Sequence, residues 1–264
     1  MASSRPIERG VACPGCPHRA AYVICKEALG RGRVICGDAG CAAVGPMHPA
    51  ACACVGGQSA LLDRYKTPVP LGGTAQAPAS EACVHFIPDT VLAGKDAASE
   101  LGDIKAEGRV VILAVLASSR AFLTREAVED LGARALDLGC DDAVVVDPFD
   151  SQRAMDVLGG ALARPGAHAV VFASPCAQLQ HGEYEAEPAE IDEYACMSCH
   201  RCQQITGCPA IAFKPPVFRI DAEACAGCDL CVEYCRTHVI YSPRSRMTPE
   251  ERSRARYAAA SQQP

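Results

Sequence analysis

Eight of the 18 cysteines in this sequence fall between residues 196 and 235, in two runs, and no other feature limits the fold as strongly. The first run reads CMSCHRCQQITGCPA, a C-x2-C-x2-C-x5-C-P pattern. The second reads CAGCDLCVEYCRT, a C-x2-C-x2-C-x3-C pattern. Three thiolates at this spacing wrap one face of a four-iron cubane, and a remote fourth closes the site once the chain folds back. Two zinc sites are the rival reading, but zinc ribbons rarely crowd three thiolates so tightly.

Bacterial two-cluster ferredoxins carry a closely similar repeat, C-x2-C-x2-C-x3-C-P, and lend the fourth cysteine of each run to the other cluster. That pattern predicts one 4Fe-4S site from Cys196, Cys199, Cys202 and Cys235, and a second from Cys225, Cys228, Cys231 and Cys208. Two departures stand out. The first run has two extra residues before its last cysteine, which enlarges a loop without removing a ligand. Arg236 stands where proline usually follows the second run, and a positive charge there raises the potential of a neighbouring cluster.

The rest of the composition is that of an ordinary soluble protein: 264 residues, 49% apolar, net charge −6. The N-terminal MASSRPIERG has no apolar segment of the signal-peptide kind, and no run approaches a membrane span, so a cytoplasmic location is expected. In that compartment thiols stay reduced, and cysteines read as metal ligands rather than disulfides. The acidic balance and the lack of a basic stripe interleaved with aromatics argue against nucleic acid as a partner. The tail is locally basic, with Arg244, Arg246, Arg252, Arg254 and Arg256 against Glu250 and Glu251. Thr248, Pro249 and the two glutamates predict a helix start, and a solvated helix is expected, with docking to an acidic partner as the alternative.

Between residues 18 and 175, β-type runs at 33–38, 82–87, 109–117, 142–148 and 168–174 alternate with helix-period segments. The helices are predicted near 18–30, 56–65, 90–102, 124–137 and 151–163, with a Pro/Gly-rich loop at 62–80. Near-continuous Val/Ile/Leu strands spaced by helices predict a doubly wound α/β domain with a parallel sheet over 8–181. An acidic linker at 182–194, a small α+β two-cluster ferredoxin domain at 195–242 and a basic tail at 243–264 complete the predicted organisation.

A further pair, Cys13 and Cys16 in CPGC, needs two more ligands to hold a cluster. Cys41 follows the first predicted strand and Cys176 the last, so both leave the carboxyl edge of the sheet, where α/β folds hold ligands. Cys13, Cys16, Cys41 and Cys176 are therefore the proposed third 4Fe-4S site, with Cys36, Cys52 and Cys54 as alternatives. Core packing is the expected role of Cys25, Cys36, Cys83 and Cys140.

Taken together, CPGCPHR, GDAGCAAVG, CACVGG, VVVDPFD and SPCA, followed by the double cysteine run, resemble the C-terminal half of the large subunit of indolepyruvate ferredoxin oxidoreductase. More broadly they resemble the thiamine-pyrophosphate-binding part of 2-oxoacid:ferredoxin oxidoreductases, over about residues 8 to 242. The resemblance implies that a cysteine pair, a Gly-x-Gly-Cys cysteine and a Pro-Cys cysteine hold the cluster nearest the thiamine. These fall on Cys13, Cys16, Cys41 and Cys176. It also implies a Mg2+ site built from a Gly-Asp motif and an Asn. Asp89 matches, but Pro88 replaces the glycine, and the next strand end offers only Ala117, Ser118 and Ser119. The sequence contains no asparagine at all. Asp89 is thus read as the remnant of a Mg2+ and thiamine site, unless a serine hydroxyl or a carbonyl substitutes. His18 matches the family motif, and a capping or exposed role is the alternative.

The expected function is an iron–sulfur electron-transfer subunit with three 4Fe-4S clusters. Its expected partners are other subunits of a 2-oxoacid oxidoreductase-type complex or a flavoprotein reductase, and ferredoxin or a similar carrier. The alternative is a subunit of an active thiamine-dependent aryl 2-oxoacid oxidoreductase. The glutamate that activates thiamine in the family comes from a domain without a counterpart in this sequence, so catalysis by this chain alone is not expected.

Overall fold

The computed structural model describes residues 12–30, 34–38, 54–56, 82–92, 105, 108–180 and 187–261. Its largest element is a six-stranded sheet, all parallel, in the order β2-β1-β3-β4-β6-β5. The strands are β1 (Val34–Asp38), β2 (Cys54–Gly56), β3 (Ala82–Pro88), β4 (Val110–Ala117), β5 (Asp142–Val146) and β6 (Gly166–Ala173). In chain order the helices are α1 (Pro17–Leu29), α2 (Asp89–Leu92), α3 (Arg125–Asp137), α4 (Ser151–Leu162), α5 (Arg201–Thr206), α6 (Leu230–Glu233) and α7 (Pro249–Ser261).

The sequence of β4, VVILAVLA, explains why helices cover the sheet on two sides. Side chains alternate between faces along a strand, so an unbroken apolar run must bury both. Val111, Leu113 and Val115 pack with Val128, Leu131 and Ala135 of α3. Ile112, Ala114 and Leu116 pack on the other side with Ala21, Ile24 and Cys25 of α1 and Ala154 and Leu158 of α4. Each such aliphatic side chain contributes about 1.5–3 kcal/mol when fully buried. Cys25 and Cys140 belong to these two apolar clusters, as the core reading expects. The side chains of Cys36, Cys54 and Cys83 lie outside the described residues, as do Cys41 and Cys52.

Helix starts follow local chemistry. The Thr124 hydroxyl accepts from the Ala127 amide at 3.2 Å ahead of α3, and the Asp150 carboxylate accepts from the Arg153 amide at 3.2 Å ahead of α4. The predicted helix at 56–65 is corrected at its start, where Cys54–Gly56 is instead strand β2 pairing with β1. Of the predicted helix at 90–102, Asp89–Leu92 is helical and residues 93–102 lie outside the described set. The strand predicted to reach 148 stops at Val146, because the Asp147 carboxylate turns back to accept the Phe149 amide at 2.9 Å and Pro148 follows.

The tail also departs from expectation. Thr248 and Glu251 form a reciprocal cap, Thr248 amide to Glu251 carboxylate at 2.8 Å and Glu251 amide to Thr248 hydroxyl at 3.2 Å. Yet α7 is not simply solvated. Arg256 is buried, ion-paired with Asp147, donating to the Ser174 hydroxyl at 3.2 Å and lying 4.6 Å from the Phe149 ring centroid. An arginine count shows net charge but not which guanidinium meets a buried acid.

After residue 187 the chain forms two small antiparallel pairs. Strand β7 (Glu190–Ile191), inside the segment expected as linker, pairs with β10 (Ile240–Tyr241), and β8 (Ile211–Lys214) pairs with β9 (Val217–Ile220). The region packs on α1 through Ala20 and Val23, against Leu230, Tyr234 and Phe149. The Tyr234 hydroxyl donates to the Glu27 carboxylate at 2.6 Å across this seam.

Candidate metal centres

The two cysteine runs share left-handed backbone at two matching positions. Ser198 and Gly227, each just before the second cysteine of its run, have φ of 49° and 58°. His200 and Asp229, each just after it, have φ of 62° and 63° and begin α5 and α6. Left-handed residues on both sides of a cysteine fold the chain into a tight arc, and successive amides in such an arc point inward toward negative charge.

Electrostatic interactions link sulfurs across the two runs. Burial raises the Cys202 thiol to about 11, and like-charge repulsion from Cys235, Cys199 and Cys196 adds to it. Burial raises the Cys231 thiol well above its usual range, with Cys228, Cys208 and Cys225 adding to it. Cys228 is pushed to about 12 by burial, again with Cys208 and Cys225 contributing. So each fourth cysteine stands in electrostatic reach of the other run's triplet. Amides face individual sulfurs: Gly227 to Cys225 at 3.4 Å and Val239 to Cys235 at 3.4 Å. For Cys235, hydrogen bonds from Val239 and Thr237 outweigh burial and hold the thiol below its ordinary value. Among the described residues, no three His, Cys, Asp or Glu side chains converge closely enough for a single metal ion. Four thiols are the donor set that a four-iron cluster takes, and each quartet supplies that set.

The quartets differ in their surroundings. One quartet reaches solvent through exposed Cys199, close in sequence to exposed Tyr194 and Met197, while its Cys202 and Cys235 are buried, and His200 next to Cys199 meets Phe213 of the β8–β9 hairpin. Cys208, Cys225, Cys228 and Cys231 instead line an enclosed cavity that Pro14 and Gly15 help to close.

Gly15 brings the third site into contact with that cavity. It has φ of 73°, and a Cβ there would fall 2.6 Å from Ala226 Cβ and 3.5 Å from Ala177 Cβ. The CPGC, CAGC and SPCA loops therefore meet at one point. The Cys16 amide closes a turn on the Cys13 carbonyl at 3.1 Å, and the Cys176 amide donates to the Ser118 carbonyl at 3.0 Å beyond the end of β4. Burial raises the Cys16 thiol to about 12 and Cys176 repels it further, while the Arg19 and His18 amides and the Arg19 charge oppose this. The structure thus brings Cys16 and Cys176 together, with Cys13 one turn away. Cys41 lies outside the described residues.

Asp89 sits at the carboxyl end of β3, buried. One carboxylate oxygen accepts the Thr90 amide at 2.7 Å, and the other accepts the Ser118 and Ser119 amides at 3.0 and 2.9 Å. His18 bonds the Ser118 hydroxyl through Nε2 at 2.8 Å, and burial lowers its pKa to about 4 despite Asp89 nearby, so the ring is neutral. With no asparagine in the chain and both Asp89 oxygens engaged by backbone, these residues do not fit an octahedral Mg2+ bridging a diphosphate. Asp89 instead ties the end of β3 to the end of β4.

Arg19, in CPGCPHR, belongs to no motif that points to a role; its burial on the wall of the second quartet's cavity singles it out, and its place one turn after Cys16 is the sequence signal that goes with it.

No family model matches the chain. It is similar to curated proteins named indolepyruvate oxidoreductase subunit IorA. That of Methanothermobacter marburgensis is 25% identical over 246 residues, covering 84% of this chain and 38% of that protein. That of Archaeoglobus fulgidus is 24% identical over 273 residues, covering 93% of this chain and 41% of that protein. That of Pyrococcus horikoshii is 32% identical over 110 residues, 39% of this chain and 17% of that protein. The chain is IorA-like over most of its length, and it spans about two-fifths of the length of the first two of these relatives.

Proposed function

We propose that this IorA-like chain is an iron–sulfur electron-transfer subunit of a 2-oxoacid oxidoreductase-type complex, carrying three 4Fe-4S clusters. Its α/β part is doubly wound and its C-terminal part is a two-cluster ferredoxin module. The observation that carries this reading is the pair of thiol quartets, each drawing one cysteine from the opposite run, on two arcs of matching backbone. Cys196, Cys199, Cys202 and Cys235 hold one cluster, and Cys208, Cys225, Cys228 and Cys231 the next. Cys13, Cys16, Cys41 and Cys176 hold the third. Such clusters supply one-electron transfer.

The chain's own residues order these sites. The Gly15–Ala226 approach sets the third site against the buried quartet, and the shared packing of Ile211, Phe218 and Ile240 joins that quartet to the exposed one. The exposed Cys199 edge, with Tyr194 and Met197, is then the face for a ferredoxin-like carrier. Similarity to IorA supports an oxidoreductase subunit, and the engaged Asp89 carboxylate speaks against thiamine chemistry at the β3–β4 edge.

Iron and acid-labile sulfide analysis with native mass spectrometry of anaerobically purified protein tests this, with Mg2+ and thiamine pyrophosphate added. Three cluster increments and no thiamine adduct are expected. Colourless, zinc-loaded protein would overturn the relay, and a bound thiamine would favour the active oxidoreductase.

A further inference from the structure

Arg19 lies in the first turn of α1 and is only 1% exposed. A guanidinium removed from water needs acceptors for its donors and a counter-charge for its cation. Its acceptors are all neutral: Nη1 donates to the carbonyls of Thr206 at 2.7 Å and Gly207 at 2.6 Å, and Nη2 to the carbonyl of Ala12. Nε is buried with no partner, and no carboxylate pairs with the guanidinium, among the described residues. The side chain lines the same enclosed cavity as Cys208, Cys225, Cys228 and Cys231. Among the described residues the cation therefore has no negative partner, on the very wall that the four thiols share.

We propose that Arg19 is the counter-cation of the cluster held by Cys208, Cys225, Cys228 and Cys231, and that it raises the reduction potential of that cluster. The inference rests on the iron–sulfur reading above. Four thiolates leave a four-iron cluster net negative, and an added electron makes it more so. A fixed positive charge in a dry cavity stabilises the reduced form more than the oxidised one. At the other quartet, Cys199 is exposed and so is Arg236, so water screens any such effect. Pro14 and Gly15 of the CPGC loop line that cavity beside Arg19, so its charge stands at the boundary of the buried quartet and the CPGC site. The Thr206 and Gly207 carbonyls that it clamps close the last turn of α5, so the same side chain also fixes the distance between these two sites.

The test is a dithionite titration of the full chain followed by electron paramagnetic resonance, on the parent protein, Arg19→Gln and Arg19→Lys. Cys228→Ser assigns the signal of the buried site. In Arg19→Gln the buried couple should become harder to reduce by about tenfold in its equilibrium, about 59 mV for one electron. The exposed couple should move less, and Arg19→Lys, which keeps the charge, should retain most of the parent potential. A folded, fully iron-loaded Arg19→Gln with every couple unmoved overturns the inference. Should Arg19→Gln lose the buried cluster, Arg19→Lys decides: a retained potential supports the counter-cation, and a fall as large as tenfold overturns it. Parent protein without iron would instead defeat the electron-relay reading itself, and the two failures are distinct.

Discussion

The two halves of the cysteine repeat share their backbone but not their surroundings. Ser198 and Gly227 occupy equivalent left-handed positions, yet the first carries a side chain whose hydroxyl bonds the Pro216 carbonyl, and the second faces the Glu187 carbonyl at a distance that leaves no room for one. His200 packs at a tilt against Phe213 and edge-on against Phe218, with centroids 5.0 and 4.8 Å apart, whereas its counterpart Asp229 is buried and reaches Arg252 at 3.4 Å. One half looks out to solvent through Cys199, and the other is closed in by CPGC and Arg19. A duplicated local sequence thus builds two similar arcs, and what packs on each decides which site meets solvent and which is insulated.

The sharpest way to break this contrast is to strip iron with a chelator under mild oxidant. The quartet that opens to solvent at Cys199 should lose its iron in a fast, separate phase and the cavity-enclosed quartet slowly, because oxidation follows thiolate accessibility. A single phase, followed by absorbance and iron release, would mean that the halves do not differ in protection.

Exchanging the paired left-handed residues comes next. Gly227→Ala would place a Cβ 2.6 Å from the Glu187 carbonyl oxygen at a φ that side chains avoid, and should cost about 3 kcal/mol in denaturant unfolding. Ser198→Gly relieves the same backbone strain and loses one exposed hydrogen bond, so it should stay within about 1 kcal/mol of the parent. Equal losses would show that the two positions are equivalent after all.

Asp229→Asn keeps the left-handed preference but removes the charge facing Arg252. A loss of about 1 kcal/mol is expected, readable as a shift in denaturation midpoint at constant slope. The smallest effect belongs outside the repeat, at Asp141, whose carboxyl is held below its ordinary 3.8 by the hydrogen bond from Lys105. Because it is more acidic folded than unfolded, its contribution is present above that ordinary value and is lost as pH falls through the lowered one. The pair is well exposed, so Asp141→Asn should flatten the acid limb of the stability curve by less than about 1 kcal/mol.

The thiol spacing, matched to the repeat of bacterial two-cluster ferredoxins, predicts that each fourth cysteine joins the opposite triplet, because a cubane reached by C-x2-C-x2-C leaves one corner for a more remote residue. Apolar runs alone gave the parallel sheet, since strands such as VVILAVLA cannot be stable with one face in water. Spacing and hydropathy are local properties, and a sequence carries them in full.

What faces what was decided only by the tertiary structure. Asp89 matched a metal motif by sequence, but the approach of the Ser118 and Ser119 amides engages its carboxylate and turns it into a strand tie. Arg256 was one of five tail arginines until α7 packed against Asp147, and Arg19 was one residue of a heptapeptide until α1 buried it beside four thiols. Burial and the choice of partner set the energy of a charge, and both depend on residues brought together from far apart in the chain, which no local pattern encodes.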